Sequence, residues 1–233
     1  MSSGRFTVAT FNIHHGRGRD GVVDLARTVA VISEITPDLI ALQELDVNLE
    51  RSGRTDQARV IGELIGMEIH FFPTLTFGGG QYGIGIAARH EIGCTVEELP
   101  RVRGEEPRVA IVARWNDINV VATHLARSAE ARYAQTEFLA ALGTRFEGPT
   151  IVLGDMNQPA RDLHAFTATG FSVASPRVPL KWWLRPHLRV DHILVRDGLE
   201  TMRARLVPTR ASDHSALVAD VIRAGGVREP ASV

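Results

Sequence analysis

Eight polar side chains stand where apolar stretches of this chain begin or end. They are Asn12 in TFNIHHG, Glu44 in ALQELD, His124 in VATHLA, Asp155 and Asn157 in VLGDMN, Asp191 in RVDHIL, and Asp213 with His214 in ASDHSAL. Carboxylates, amides and imidazoles are the groups that hold cations, move protons and orient phosphate oxygens. Each also has an ordinary alternative. An Asn or Asp after a strand is most often a turn residue or a helix cap. A single His at a strand end is most often structural, and Glu44 alone would be a surface carboxylate. Eight such residues in like contexts are hard to attribute to chance. Asp155 and Asn157 are two apart, so an extended chain would present both on one face.

The elements that must position them follow from the apolar periodicity. RFTVATFN (5–12) alternates and reads as a strand. Val22, Leu25, Ala26, Val29 and Ile32 have helical spacing, with Asp24 near the start and Pro37 closing the segment. DLIALQE (38–44) is a short continuous apolar run, which suits a strand buried on both faces. A second helix is expected over 55–65, stopped by Gly66. MEIHFFPTL, YGIGIAAR, CTVEEL, PRVAIVARW and INVVATHL are strand-like, and WNDIN is a turn between antiparallel neighbours. Residues 128–146 form a helix capped by Ser128 with Glu130 in its first turn. PTIVLGD is a strand, followed by a short helix near 161–168 and strands at 190–196, 201–207 and 216–222. The order strand–helix–strand–helix and then a run of strands occurs twice. It implies two mostly antiparallel mixed sheets packed face to face with helices outside, an α/β (α+β) architecture. One domain is expected over 1–224, with a flexible tail at 225–233.

Composition sets the outer bounds. The chain has 233 residues, 44% apolar, enough for a sizeable core. Lys+Arg is 26 against Asp+Glu 27, so the net charge of −1 gives no general attraction to nucleic acid or anionic membrane. A local basic cleft remains compatible with that balance. The lone Cys94 excludes an intrachain disulfide. No apolar run approaches the ~18 residues of a transmembrane span, and no charged leader precedes an apolar stretch. A cytoplasmic protein, monomeric, is the expectation.

Taken together, GDMN, SDH, QE and THL are specific enough to carry a resemblance, and EPR (106–108) ahead of an apolar strand supports it. The chain looks like a member of the endonuclease/exonuclease/phosphatase superfamily over roughly residues 5–222. That superfamily includes pancreatic-type deoxyribonuclease, abasic-site endonucleases, inositol polyphosphate 5-phosphatases and neutral sphingomyelinases. The resemblance implies a four-layer α/β/β/α sandwich with its active site at one edge of the paired sheets. It implies hydrolysis of phosphoester bonds by an activated water, with Mg2+ as cofactor and Mn2+ able to substitute. Glu44 is the best metal ligand by chemistry and by resemblance. Asn12 can supply an amide oxygen beside it, and Asp213 can reach the same region. The sequence lacks a Cys/His cluster with zinc spacing. Asp155 resembles the family's water-activating carboxylate, and Asn157 the amide that orients the water or a phosphoryl oxygen. His214 would donate to a phosphoryl oxygen, held in its tautomer by Asp191. His124 would contact the phosphate as donor or acid, and Arg108 would clamp an oxygen or brace the acidic ligands.

Departures from the pattern shape the substrate question. Position 14 is His where several nucleases of the superfamily are acidic, so His14 is a candidate for substrate or metal contact or a structural residue. RSGRTDQ (51–57) and GGGQYGIG (78–85) resemble a compact bacterial branch and point to Arg54 and Tyr82 as substrate contacts. Ile84 stands where that branch is often polar. The VPLKWWLRPHLRV stretch (178–190) could stack a base, cover a lipid headgroup or bury its tryptophans. The chain has no room for long DNA-embracing insertions, which favours a small or lipid-like phosphoester over nucleic acid. A DNA endonuclease or exonuclease is the main alternative, and an inactive binding scaffold the second.

Overall fold

The computed structural model describes residues 4–176 and 189–224. Most of the 178–190 loop and the whole of the 225–233 tail lie outside the described residues. The observed elements are β1 (Arg5–Asn12), α1 (Leu25–Ile35), β2 (Leu39–Val47), α2 (Gln57–Ile65), β3 (Ile69–Phe77), β4 (Gly80–Ala88), β5 (Ile92–Glu98), β6 (Val109–Trp115) and β7 (Ile118–His124). They continue with α3 (Ala129–Thr144), β8 (Thr150–Asp155), α4 (His164–Ala168), β9 (Ser172–Val173), β10 (Asp191–Arg196), β11 (Leu199–Val207) and β12 (Ala216–Arg223).

Among the described residues the strands form two six-stranded sheets, β11-β12-β1-β2-β4-β3 and β5-β6-β7-β8-β10-β9. Each has one parallel pair at its centre, β1 with β2 and β7 with β8. These are the two places where a helix-containing crossover joins adjacent strands, as parallel pairing requires. The twofold recurrence in the sequence is this repeated arrangement.

Alternation along the strands divides the core into layers. Val8, Leu39 and Ala41 of the first sheet pack with Ile111, Val120, Ile151 and Leu153 of the second, filling the space between the sheets. Phe6 meets Trp115 edge-on there, ring centroids 5.2 Å apart. Ala9, Phe11, Ile40 and Leu42 point the other way, onto Val31, Ile32 and Ile35 of α1 and Ile61 of α2. Val121, Val152 and Leu194 likewise meet Leu139 and Leu142 of α3 and Phe166 of α4. The architecture is the expected α/β/β/α sandwich. Ile84 is 2% exposed in the inter-sheet layer, so its apolar side chain serves the core.

Ser128 caps its helix as the sequence indicates, and Asp24, near the expected start of its helix, is a cap too. Asp24 accepts from Ala26 N at α1, Asp56 from Arg59 N at α2, and Ser128 from Ala131 N at α3. Several boundaries differ from expectation, α1 starting at Leu25 and not Val22, and β11 at Leu199 and not 201. The segment at 161–168 is split between a 3-10 turn (Ala160–Asp162) and α4. Strand β2 runs on past Glu44 to Val47 through a β-bulge between Gln43 and Leu45. A one-residue bulge leaves no periodicity signal, which is why the strand seemed to stop at residue 44.

Candidate active site

Three neighbouring strands of the second sheet end on one row of polar side chains. His124 of β7 lies opposite Asp155 of β8, which in turn lies opposite Asp191 of β10. Gly154 permits the close approach behind this row. A Cβ there would lie 2.0 Å from the Thr123 carbonyl oxygen, and its φ is +151°. The loop before β12 supplies His214, whose Nδ1 is 2.9 Å from Asp191 Oδ2 and whose Nε2 is 3.8 Å from Asp155 Oδ2. Ser212, fully buried, fixes that loop: its hydroxyl donates to Asn12 O at 2.8 Å and accepts from His214 N at 3.1 Å.

The first sheet faces this row. Asn12 Nδ2 donates to Glu44 Oε1 at 2.9 Å and to Asp155 Oδ2 at 3.1 Å, tying the two sheets together. Simple alternation would send Glu44 outward with Leu42. Instead Glu44 is the bulged residue, with φ +61°, and joins the face of Gln43. His14 and His15 follow Asn12 in a tight turn with φ +48° and +44°, and Asn157 has φ +50°. Left-handed backbone at a non-glycine residue costs about 1–3 kcal/mol, and it concentrates where geometry is held for function.

The electrostatics divide the groups into roles. Burial, and then the negative charge of Asp191, push the Asp155 carboxyl up to about 7. Burial also opposes protonation of His214, but the charge and hydrogen bond of Asp191, with Asp155 and Asp213, outweigh it and raise its pKa to about 10. His214 is therefore a cation at neutral pH. Burial and the Arg108 guanidinium hold His124 well below the usual imidazole range. Arg108 Nη1 is 3.2 Å from His124 Nδ1 and can only donate, so the ring proton sits on Nε2, 3.5 Å from Asp155 Oδ2. Tyr82 is raised above the usual phenol range by burial, then by the charge of Glu44, and stays a hydroxyl donor.

The two sheet edges open onto a cleft of about 1230 Å³ that includes Glu44, Tyr82, Arg108, His124, Asp155, Asn157, Asp213 and His214 among its walls. His14 and His15 line it too, and Arg17, Arg19, Arg127, Arg132 and Arg161 surround it. A chain of near-zero net charge thus carries a strongly basic cleft. Several placements differ from the sequence expectation. Strand β8 ends at Asp155, so Asn157 does not share its face by alternation. An Asx turn (Asn157 N to Asp155 Oδ1, 2.9 Å) and a bond from Asn157 Nδ2 to Leu125 O at 2.8 Å hold it instead. Asn12 turns its NH2 to the carboxylates, while its oxygen accepts from His14 N at 3.0 Å, so it offers donors where an amide oxygen ligand was expected. Asp213 is exposed, its Oδ1 3.4 Å from His14 Nδ1. His124 faces its proton to Asp155, not outward as an acid. Arg54 is away from the cleft walls and pairs with Glu50 at 3.7 Å. Arg51 lines the cleft instead, and a 3-10 turn at 50–52 brings it into a two-pronged bond with the buried Asp46 at 2.7 and 2.8 Å. Arg51 also lies over the Tyr82 ring at 5.4 Å. The missed residues were His15, Arg51, Ser212 and Glu106, which holds Arg108 at 2.9 Å. All four stand inside motifs already singled out, and nothing in the sequence said which way their side chains turn.

Two donor groups among the described residues are close enough to share a cation: His14, His15 and Glu44, and Asp155, Asp191 and His214, each set within 4.8 Å. In the second, the imidazole is protonated and bonded to Asp191, which leaves no lone pair for a metal. The first combines a half-buried carboxylate with two imidazoles. Burial, with Arg51, lowers the pKa of His15 to about 4, so it is neutral. These residues fit a divalent cation.

Fold and site define a four-layer sandwich whose clustered carboxylates, imidazoles and amides meet where the edges of both sheets come together. The model of the Endonuclease/Exonuclease/phosphatase family matches residues 9–214, and the chain belongs to that family, whose members are metal-dependent phosphoester hydrolases. It is similar in fold to an endonuclease/exonuclease/phosphatase from Beutenbergia cavernae, at 19% identity and TM-score 0.77, covering 94% of this chain and 72% of that one. A family protein from Bacteroides thetaiotaomicron matches at 15% identity and TM-score 0.75, over 96% and 99%. A mannosyl-6-phosphatase of the same bacterium matches at 16% identity and TM-score 0.72, over 93% and 99%. A search of curated proteins finds no match. No helix among the described residues is long and apolar enough to cross a membrane.

Proposed function

We propose that the chain hydrolyses phosphoesters with a divalent cation, Mg2+ or Mn2+, held at Glu44. The observation that carries this reading is the placement of Asp155 between Asn12 and the Asp191–His214 pair, facing Glu44 across the sheet edges. A carboxyl with a pKa near 7 can take a proton from water at neutral pH. Asn12 and the Asn157 N–H fix both of its oxygens, so the base is aimed before substrate arrives. Asn157 orients the attacking water or a phosphoryl oxygen. His214, charged and oriented by Asp191, donates to a non-bridging phosphoryl oxygen and offsets developing charge. His124 and Arg108 act as a buried brace behind Asp155. The cation, when bound, neutralises phosphate charge and polarises the ester. Tyr82 contacts the substrate, and His14 lines the cleft beside Glu44.

The substrate we infer is a small phosphoester. The fold shared with a mannosyl-6-phosphatase supports it. The ring of Arg17, Arg19, Arg127, Arg132 and Arg161 favours a second reading, a nucleic acid with phosphates on either side of the scissile one. A panel of sugar phosphates, phosphoinositides, bis-p-nitrophenyl phosphate, plasmid DNA and abasic DNA, with each cation, separates the two. Absence of hydrolysis across the panel would reject the function itself. Glu44→Gln is expected to move the cation titration midpoint of activity upward by at least about 10-fold. An unchanged midpoint removes Glu44 from the cation site.

A further inference from the structure

We propose that His14 and His15 complete, with Glu44, a nitrogen-rich site that selects a first-row transition-metal ion such as Mn2+ over Mg2+. This deepens the reading of Glu44 as the cation-holding carboxylate and rests on it. One ring nitrogen from each histidine and a carboxylate oxygen of Glu44 lie within 4.8 Å of one another. His15 is 7% exposed, and its Nδ1 is buried without a hydrogen-bond partner. A core histidine normally has its buried nitrogens satisfied, because an unpaired buried polar atom costs about 1–3 kcal/mol. A metal bond at Nδ1 would satisfy that nitrogen. The turn that carries it is built without any ligand. The fully buried Gln57 donates to His15 O at 2.7 Å and accepts from Asp46 N at 3.0 Å.

The surroundings agree. Asp213 Oδ1 stands 3.4 Å from His14 Nδ1, the carboxylate–imidazole contact that orients histidines beside metals. Asn12, which would supply the oxygen that a hard ion prefers, has that oxygen bonded to His14 N at 3.0 Å. Mg2+ demands oxygen ligands and near-octahedral geometry, whereas imidazole suits Zn2+, Fe2+ and Ni2+; Mn2+ also favours oxygen but accepts imidazole nitrogen more readily than Mg2+ does. Two imidazoles and one carboxylate therefore shift selection away from Mg2+.

The test is binding of metal to the stripped full-length protein without substrate, read from loss of the free Mn2+ signal in electron paramagnetic resonance. Mn2+ is expected to remain bound against equimolar Mg2+, and the bound ion to show 14N coupling from imidazole in spin-echo modulation. His14→Ala and His15→Asn should each weaken Mn2+ binding by at least about 10-fold while leaving Mg2+ binding nearly unchanged. His14 has its side chain 28% exposed, so His14→Ala carries the test where His15→Asn does not fold. Displacement of Mn2+ by equimolar Mg2+, lack of 14N coupling, or wild-type Mn2+ affinity in folded His14→Ala would overturn the proposal. Mn2+ bound as described by a protein that cleaves no phosphoester would sink the proposed function alone. A Mg2+-driven phosphoesterase with no Mn2+ preference would sink this site alone.

Discussion

Asp155→Ala is expected to lose about 10²- to 10⁴-fold in turnover, the range for removal of a positioned proton acceptor, while the protein stays folded. Neither neighbouring imidazole can replace it. His214 is already protonated, and His124 has its one lone pair facing Arg108. The same substitution carries a stability signature that separates catalytic loss from structural damage. The Asp155 pKa is raised from 3.8 to about 7 by burial and by Asp191. Below 3.8 the carboxyl is protonated in both folded and unfolded chains. Between 3.8 and about 7 the unfolded chain has released the proton and the folded chain retains it, so wild-type stability falls as pH rises through this window. Asp155→Ala lacks that term. Urea unfolding of both proteins, stripped of metal, should therefore show the variant gaining on the wild type from pH 4 to pH 7. Turnover within tenfold of wild type would refute Asp155 as the base. A stability difference that does not change with pH would refute the raised pKa.

Packing and local backbone chemistry make most of the fold legible in the sequence and leave part of the candidate site hidden. Apolar alternation in RFTVATFN, INVVATH and TIVLGD declares strands, because each must place one face between the sheets and the other under a helix. Asp24 and Ser128 declare the starts of α1 and α3, since each satisfies an orphan backbone donor by local chemistry, as Asp56 does at α2. Polar residues at strand ends declare the site for the opposite reason: nothing in the packing calls for them. What stayed hidden depends on backbone irregularity. The bulge that turns Glu44 inward, and the left-handed turns at His14, His15 and Asn157, break the periodicity on which sequence reading depends. Arg51 and Arg54 sit three apart in one loop. Only the buried Asp46, in register with Tyr82 across the bulged strand, decides which of them reaches the cleft.

His214 yields the second large effect. His214→Gln should reduce turnover by about 10²- to 10³-fold, as expected when a preorganised donor to developing oxyanion charge is lost. Glutamine can still bond to Asp191 but carries no charge. Its pH behaviour is the stricter test. The His214 pKa is raised from 6.5 to about 10, chiefly by Asp191 acting against burial. The stabilisation from this ion pair is fully present below 6.5. It is lost as pH rises through about 10, because the unfolded chain has shed its proton while the folded chain still holds it. Metal-stripped wild type should therefore unfold at progressively lower urea between pH 6.5 and pH 10, and His214→Gln should lack that decline. The variant should also be less stable than wild type at pH 6.5, because Asp191 is buried, with one carboxylate oxygen already unpartnered, and loses its only cationic partner in an ion pair among the described residues. Equal urea midpoints at pH 6.5, or a wild-type decline that survives in the variant, would show that the Asp191–His214 pair is not the charge that the cleft uses. Both carboxylates would then have to be assigned to a cation, as the Asp155, Asp191 and His214 grouping by distance alone allows.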